Sequence, residues 1–167
     1  AIGRLDFNTS GLLIFTTSGE LANRMMHPSF DTEREYSVRI FGQLSDEQIK
    51  LFRSGVELSD GHGVFEACES IGGEGRNRWY KVIVKEGRNR LVRRMFEALG
   101  YQVSRLIRIR FGGVILPPRL TRGKWLELKD DEVSQLEKQC GLSPVEPPVQ
   151  SAKPKQSSSR VTRKTKS

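Results

Sequence analysis

The sequence is poor in the residues that build disulfides, metal centres and membrane spans. Its two cysteines, Cys68 and Cys140, lie far apart without a CxxC spacing, which is typical of reduced thiols in a cytosolic protein. Its two histidines, His27 and His62, stand beside turn residues, and no group of His, Cys, Asp and Glu has metal-ligand spacing. We expect no signal peptide, and no apolar run approaches the roughly 18 residues of a membrane helix. We therefore expect a cytoplasmic, soluble protein with no metal and no membrane contact.

Several common catalytic patterns are also missing. The glycine-rich run at residues 72–75 lacks the Lys-Ser/Thr of a phosphate-binding P-loop, so it is expected to form a hairpin tip. No Ser/His/Asp or Cys/His arrangement indicates a nucleophile of those classes. No internal repeat is present.

Positive charge is what the sequence has in excess. The formal net charge is +8 over 167 residues, which favours a polyanionic partner such as nucleic acid. Residues 143–167 combine many Lys and Arg with Pro, Ser and Gln, and have almost no large apolar residues. We expect a folded domain over residues 1–142 and a disordered basic tail over 143–167.

The predicted elements favour an α+β fold with a mostly antiparallel sheet, because strands and helices are mixed without strict alternation. Capping-box spacings at Thr17 and Ser45 predict two helices, a third is expected after Arg90, and a fourth from Asp130. Alternating or apolar runs predict strands at 12–16, 35–42, 56–58, 64–71, 79–85, 103–111 and 124–128.

Within the 103–111 strand, alternation predicts one apolar face, which would also carry an arginine, Arg105. The apolar members of this expected face are Val103, Ile107, Ile109 and Phe111. In the first helix we expect Leu21, Met25 and Met26 to be core residues.

Asp6 is the most suggestive single residue. Arg4 and Asp6 are two positions apart, so on an extended backbone they point to the same side, whereas Leu5 points to the other. A carboxylate held near an arginine stays ionised and can act as a nucleophile or a base. A lone aspartate in a loop is more often a turn cap, so spacing alone leaves both interpretations open.

Two further features concern partners for Asp6 and for a nucleobase. Arg93 follows apolar Val92 on a predicted helix, near the core side, where an arginine needs an acidic partner, and Asp6 is the unpaired candidate. The surrounding arginines are equally consistent with a solvated charge run. Tyr36 begins an alternating strand and is expected either in the core or as a platform for an unstacked base.

Four ordered stretches closely resemble the signatures of RsuA-like ribosomal RNA pseudouridine synthases. They are Gly3-Arg4-Leu5-Asp6-x-x-Thr9-x-Gly11-Leu12-Leu13, Glu33-Arg34-Glu35-Tyr36, Glu86-Gly87-Arg88-Asn89-Arg90-x-Val92-Arg93-Arg94-Met95 and Ser104-Arg105-Leu106-Ile107-Arg108-Ile109-Arg110. Residues 73–80 and 116–125 are most similar to family members that modify large-subunit (23S) ribosomal RNA.

This resemblance implies a mixed, mostly antiparallel sheet flanked by helices, with a central RNA cleft, and the conversion of uridine to pseudouridine without cofactor or metal. It implies that Asp6 is the catalytic aspartate, Arg93 its basic partner, and Tyr36 the residue that packs on the flipped base. It further implies that Val92 lines the base pocket and that Arg4 takes the place of the flipped nucleotide. Further RNA contacts are expected at Arg88, Arg90, Arg94, Arg105 and Arg108.

The family usually has an S4 RNA-binding domain, a linker and further catalytic strands before the Asp6 motif. These are missing here, so we expect a catalytic-domain piece of a longer, monomeric protein. Three alternatives stay open. They are the same chemistry on small-subunit rRNA or tRNA, a non-catalytic RNA-binding ribosome-assembly factor, and an aspartate-dependent enzyme acting on another nucleoside or sugar. The last is disfavoured because glycoside hydrolysis ordinarily needs a second carboxylate.

Overall fold

A computed structural model describes residues 1–142, and the predicted basic tail lies outside the described residues. The chain forms eight strands and four helices in this part. In chain order they are β1 (Thr9–Gly11), α1 (Gly19–Met26), β2 (Arg34–Phe41), α2 (Asp46–Ser54), β3 (Val56–Leu58), β4 (Gly61–Gly63), β5 (Ala67–Glu74), β6 (Asn77–Val84), α3 (Leu91–Ala98), β7 (Val103–Phe111), β8 (Val114–Ile115) and α4 (Asp130–Gln139).

The main sheet has the strand order β1-β7-β2-β6-β5, with β8 paired to the edge of β7. Its pairings are antiparallel except that of β1 with β7, which is parallel. Strands β3 and β4 form a separate two-stranded ribbon. The predicted α+β class with a mostly antiparallel sheet is therefore confirmed.

Two apolar clusters flank the site described below. The larger one covers the inner face of β2, β6 and β7 with α2 and α3, and the rings of Phe52, Phe65 and Phe96 pack at its centre. The smaller one joins the first residues of the chain to α1, α4 and the end of β7. The region between these two cores is where the Asp6 loop, residues 3–8, lies against the sheet.

The predicted helix starts are confirmed, with one shift. Ser45 and Gln48 form a reciprocal capping box at α2, which satisfies two otherwise unpaired backbone donors. At α1 the cap is Ser18, whose hydroxyl accepts a hydrogen bond from the Leu21 amide at 3.2 Å, rather than Thr17. Met26 is largely exposed and not a core residue, because α1 ends there.

The predicted strand at 12–16 is wrong. The strand is β1 (Thr9–Gly11), and it leaves β7 after the pairing of Gly11 with Arg108. Beyond it, Leu12 and Ile14 are buried, and Ile14 makes only an isolated bridge with Ile2. Leu12 and Ile14 are apolar because they are buried, but the segment 12–16 has no continuing partner strand among the described residues, so its sequence resembles a strand that does not form.

The expected apolar face of β7 is also wrong. Two irregularities in its pairing with β2 each insert an extra residue, and every such bulge switches which side chains face the core. The buried side chains are Val103, Leu106, Arg108 and Phe111. Arg105 is consequently exposed on the outer face of the sheet.

Two remaining strand predictions need correction. The strand predicted at 64–71 is β5, which spans Ala67–Glu74 and pairs with β6, and the short strand β4 (Gly61–Gly63), which was not predicted, pairs with β3. Residues 124–128 form no strand, and Trp125 is 82% exposed, so no burial supports pairing there. The helices of residues 1–142 include none that is long and apolar enough to cross a membrane.

Candidate active site

The Asp6 loop is fixed at both ends by the main chain. On one side, the bridge between Ile2 and Ile14 holds its start. On the other, β1 pairs in parallel with β7. The Thr9 amide donates to the Asp6 carbonyl at 2.9 Å, which closes a turn and leaves the Asp6 side chain partly buried.

Two buried arginines hold this loop from beneath. Arg108, 3% exposed, donates from Nε to the Leu12 carbonyl at 2.9 Å and from Nη1 to the Arg4 carbonyl at 3.3 Å. Arg93, 6% exposed, donates from Nη2 to the Asn8 carbonyl and from Nη1 to the Val103 carbonyl at 3.3 Å. The main chain before Asp6 is therefore held by an arginine of β7, and the main chain after it by an arginine of α3.

A cleft of about 590 Å³ opens in front of the loop, within the roughly 300–1,000 Å³ range of small-ligand sites. One wall is the Asp6 loop, and the floor is the inner face of the sheet. The opposite wall is the segment 85–90 with the first turn of α3. Its apolar lining comes mainly from Leu5, Tyr36, Val84, Leu91, Val92, Leu106 and Phe111.

The cleft brings together most of the site residues predicted from the sequence. Those that line it are Arg4, Asp6, Tyr36, Arg88, Arg90, Val92 and Arg108. Arg93 lies behind the loop instead, while Arg94 and Arg105 lie away from the cleft. Arg94 pairs with Asp60, and Arg105 projects over the ring of Trp79 on the outer face of the sheet.

Arg93 influences Asp6 without touching it. No ion pair within 4.0 Å joins them in residues 1–142. Burial lowers the pKa of the Arg93 guanidinium and nearby Arg90 lowers it further, whereas attraction to Asp6 and Glu97 raises it. Since an arginine in a protein does not lose its proton, Arg93 supplies a fixed positive charge behind the carboxylate.

Arg34 is a cleft residue that the sequence reasoning missed. It is 8% exposed and donates from Nη1 to the carbonyls of Thr32 and Lys85 at 2.8 and 3.1 Å. Its guanidinium lies 4.8 Å from the ring centroid of Phe111, and that of Arg108 lies 5.0 Å from the same ring. Burial is the main cause that lowers the Arg34 pKa. The signal was the two-residue spacing from Tyr36, which places both on one strand face.

The segment 85–90 is held by carboxylates. Glu86 accepts two hydrogen bonds from Arg88, at 2.6 and 2.8 Å. Asp60, at the tip of the β3–β4 ribbon, accepts from Arg88 at 3.1 Å and from both ends of the Arg94 guanidinium at 2.7 and 3.0 Å. These bonds lower the pKa of Asp60, and the Arg94 hydrogen bond is the largest cause. No local sequence pattern indicated this role of Asp60, because its arginine partners are distant in the chain.

Arg90 has a strained backbone at the rim of this wall. Its φ is +53° immediately before α3, a conformation that non-glycine residues rarely adopt. Its side chain is exposed and lies 4.0 Å from Glu97. Such strain concentrates at functional sites, and here it sets the direction in which Leu91 and Val92 enter the cleft.

Chemically, the site combines the Asp6 carboxylate, a second carboxylate, Glu86, that is bonded to Arg88, several fixed cations and an apolar pocket. This combination suits a flat base attached to an anionic backbone, because the pocket takes the ring and the arginines take phosphates. Among residues 1–142, no group of three or more His, Cys, Asp or Glu is placed to hold a metal ion. Cys68 and Cys140 are free thiols away from the cleft.

Comparison with known proteins gives consistent matches. Residues 1–98, more than half of the chain, match the family described as RNA pseudouridylate synthase. A Yersinia pestis protein named ribosomal large subunit pseudouridine synthase B is 61% identical over 128 residues, which are 77% of this chain and 40% of that protein. The protein of the same name from Escherichia coli K12 is 54% identical over 144 residues, which are 86% of this chain and 50% of that protein.

A solved structure agrees with these sequences. A crystal structure described as a pseudouridylate synthase superposes with a TM-score of 0.71 at 27% identity, and the match covers 81% of this chain and 58% of that one. The chain therefore spans about 40–50% of the length of these curated relatives.

Proposed function

Because this chain belongs to the RNA pseudouridylate synthase family, we propose that it carries the catalytic centre of an enzyme that converts a specific uridine in large-subunit ribosomal RNA to pseudouridine. The observation that carries this proposal is the placement of Asp6 in a cleft walled by Tyr36 and Val92. The names of the relatives support the large ribosomal subunit as the source of the substrate.

The reaction rearranges the nucleotide without gain or loss of atoms. The bond between N1 of uracil and C1′ of ribose breaks, the uracil turns, and a new bond forms between C5 and C1′. The C5 proton then leaves and N1 gains one. Asp6 serves either as a nucleophile at C1′ or as a base that removes a ribose proton, and in both routes it ends as the free carboxylate.

The two arginines beneath the loop orient Asp6 for this role. Arg93 and Arg108 bind main-chain carbonyls on both sides of the aspartate, so the loop presents its carboxylate in one position. A carboxylate held in place before the reaction requires little reorganisation during it.

The apolar walls keep the freed base in place. Tyr36 packs against the uracil and takes part in moving the C5 proton, while Val92 and Leu106 close the pocket around it. A water-poor pocket prevents loss of the detached base. Arg4 is exposed at the rim and fills the gap left in the RNA by the flipped nucleotide, an event that costs a few kcal/mol.

The proposal is tested by mapping pseudouridines in all stable RNAs of cells with and without the gene. We expect one large-subunit rRNA position to lose its pseudouridine without the gene and to regain it when the gene is restored. Loss at a small-subunit rRNA or tRNA position instead would overturn the proposed substrate. An unchanged map would overturn the enzymatic function and favour an RNA-binding assembly factor.

A further inference from the structure

The outer face of the main sheet carries a second arginine-rich site that the proposed reaction does not use. In the register of the sheet, Arg39 of β2 lies opposite both Trp79 of β6 and Arg105 of β7. Phe41 and Arg76 extend the same patch past the end of β2. We call these five residues the outer platform.

The outer platform is built from guanidinium groups over aromatic rings. The guanidinium carbons of Arg39 and Arg105 lie 5.7 and 5.9 Å from the Trp79 ring centroid. That of Arg76 lies 5.6 Å from the Phe41 ring. The Arg39 Nε also donates to the Ser104 hydroxyl at 3.0 Å, which keeps one arginine fixed.

These arginines are uncompensated, unlike the charges at the other end of the same face. There, Arg110 pairs with Glu35 at 2.9 Å, and Lys81 pairs with Glu69. Arg39, Arg76 and Arg105 make no ion pair with any carboxylate of residues 1–142. The outer platform is thus a local excess of positive charge beside a group of paired charges on the same face.

The two rings of the platform differ in exposure. Phe41 is 61% exposed, whereas Trp79 is half-buried and has the guanidinium groups of Arg39 and Arg105 over its ring. On β5, the neighbour of Trp79 in the register is Gly72, and a Cβ built there would meet nothing within 4 Å. The β5 residue directly opposite Trp79 therefore has no side chain that could cover the indole. An exposed aromatic surface of this kind marks an interaction site.

The outer platform is separate from the cleft. Tyr36 faces the cleft from the inner side of β2, and Arg39, three residues later, faces outward, about 10 Å along the strand. None of the five platform residues lines the cleft. A nucleotide on the platform is therefore not the one that meets Asp6.

We propose that the outer platform binds an unpaired RNA strand outside the catalytic cleft. Bases stack on Trp79 and Phe41, and phosphates bind the forks of Arg39, Arg76 and Arg105. Flat rings beside arginines suit single-stranded nucleic acid, since every base has a face that stacks and guanidinium binds phosphate through two parallel hydrogen bonds. An acidic protein surface would use the charges but leave the exposed rings without a purpose.

The test measures RNA binding by the full-length protein that contains this chain, using a fluorescent fragment of large-subunit rRNA. The variants are Phe41→Ser and the double change Arg76→Gln with Arg105→Gln. The matched control is Lys50→Gln with Arg53→Gln, which removes two charges from exposed positions of α2. Thermal unfolding of each variant checks that the fold is kept.

We expect Phe41→Ser to raise the Kd for RNA about fivefold or more, from the loss of one stacked base. We expect the double arginine variant to weaken binding and reduce the salt dependence of log K by about 1.4, as for two phosphates of a single strand. The control should change neither to the same extent. Equal effects in variant and control, or no effect in either variant, would overturn the proposal.

A second readout separates this inference from the proposed reaction. At saturating RNA, kcat should stay unchanged in the platform variants while KM rises, because Asp6 and the cleft are intact. The binding defect should also persist when Asp6 is changed to Asn. If no isomerisation is found but the platform variants still lose RNA affinity, the platform proposal is supported and the proposed reaction is contradicted. A fall in kcat with unchanged KM and Kd would contradict the platform.

Discussion

The inner cleft and the outer platform use arginine in opposite ways. In the cleft, Arg34 and Arg108 are buried and donate to main-chain carbonyls. Arg108 holds the Asp6 loop, and Arg34 holds the opposite wall at Lys85. On the platform, Arg39 and Arg105 lie over an aromatic ring without a carboxylate partner. Burial and hydrogen-bond partners, rather than residue type, therefore separate arginines that build a site from arginines that are free to bind a partner.

A third group of arginines is satisfied within the protein. Arg88, Arg94 and Arg110 bind carboxylates of residues far away in the chain or on a neighbouring strand. Such pairs hold the cleft wall and the outer sheet in place. A count of arginines in the sequence therefore overestimates how many are available to RNA.

Among the residues that support the cleft without reacting, the largest effect is expected at Arg93. Replacing it with Met leaves the carbonyls of Asn8 and Val103 without their cationic donor and removes the charge behind Asp6. We expect kcat to fall roughly 100-fold and the free energy of unfolding to fall by about 2 kcal/mol. Steady-state kinetics and urea unfolding measure the two quantities.

Arg93→Lys is the control for that change, since it keeps the positive charge but loses the guanidinium that donates to both the Asn8 and the Val103 carbonyls. It should recover part of kcat. A Met variant with normal turnover would mean that the buried cation does not assist Asp6.

The next effect concerns the wall of the cleft. Asp60→Asn weakens the hold on Arg88 and Arg94, and through them on segment 85–90. We expect KM for RNA to rise several-fold and kcat to change less than twofold, because no reacting group moves. Kinetics at varied RNA concentration separate the two constants.

The hydrogen bonds of Asp60 with Arg88 and Arg94 should make the free energy of unfolding depend on pH in one direction. Hydrogen bonding lowers the pKa of Asp60 in the folded protein below its usual 3.8. Its stabilising contribution is therefore present above that value and is lost as pH falls through the folded pKa. The difference in free energy of unfolding between wild type and Asp60→Asn should therefore shrink only as the pH falls through this acidic range. A difference that changes near neutral pH would contradict the assignment.

A smaller effect is expected in the core beneath the sheet, where a substitution should lower stability without changing activity. The buried Tyr80 hydroxyl accepts a hydrogen bond from the Leu44 amide at 2.9 Å. Tyr80→Phe should lower the free energy of unfolding by about 1–2 kcal/mol and leave kcat unchanged. Loss of activity in a fully folded Phe variant would show that the inner core and the cleft are coupled.

The smallest expected effect is a chemical one. Burial raises the pKa of the Cys68 thiol to about 12, so this residue on the inner side of β5 stays a neutral thiol at pH 8 and reacts slowly. Iodoacetamide should modify the half-buried Cys140 first in the native protein, and both cysteines in urea. Fast native modification of Cys68 would mean that the inner face is not sealed.

Local signals in the sequence predicted much of this arrangement. The capping box at Ser45 depends on residues three apart, and the strand containing Tyr36 on simple alternation, so both could be read directly. The motif likeness was sufficient to name Asp6, Tyr36 and Val92, which the fold brings into one cleft.

What the sequence could not predict depends on partners distant in the chain. The bulges of β7 arise from its pairing with β2, and they turn Arg108 inward and Arg105 outward against the expected alternation. The roles of Arg34 and Asp60 arise from contacts with segments about 30 to 50 residues away. The platform exists only because three strands align Arg39, Trp79 and Arg105.

The proposed role of Asp6 as the reacting group is tested by measuring the chemical step itself. Release of tritium from C5 of labelled uridine in large-subunit rRNA is followed in a single turnover, with wild type and Asp6→Asn at equal RNA occupancy. We predict that the Asn variant binds RNA with a similar Kd and loses release on the order of 10⁴-fold. Release at the wild-type rate by a folded, RNA-bound Asn variant would contradict the account.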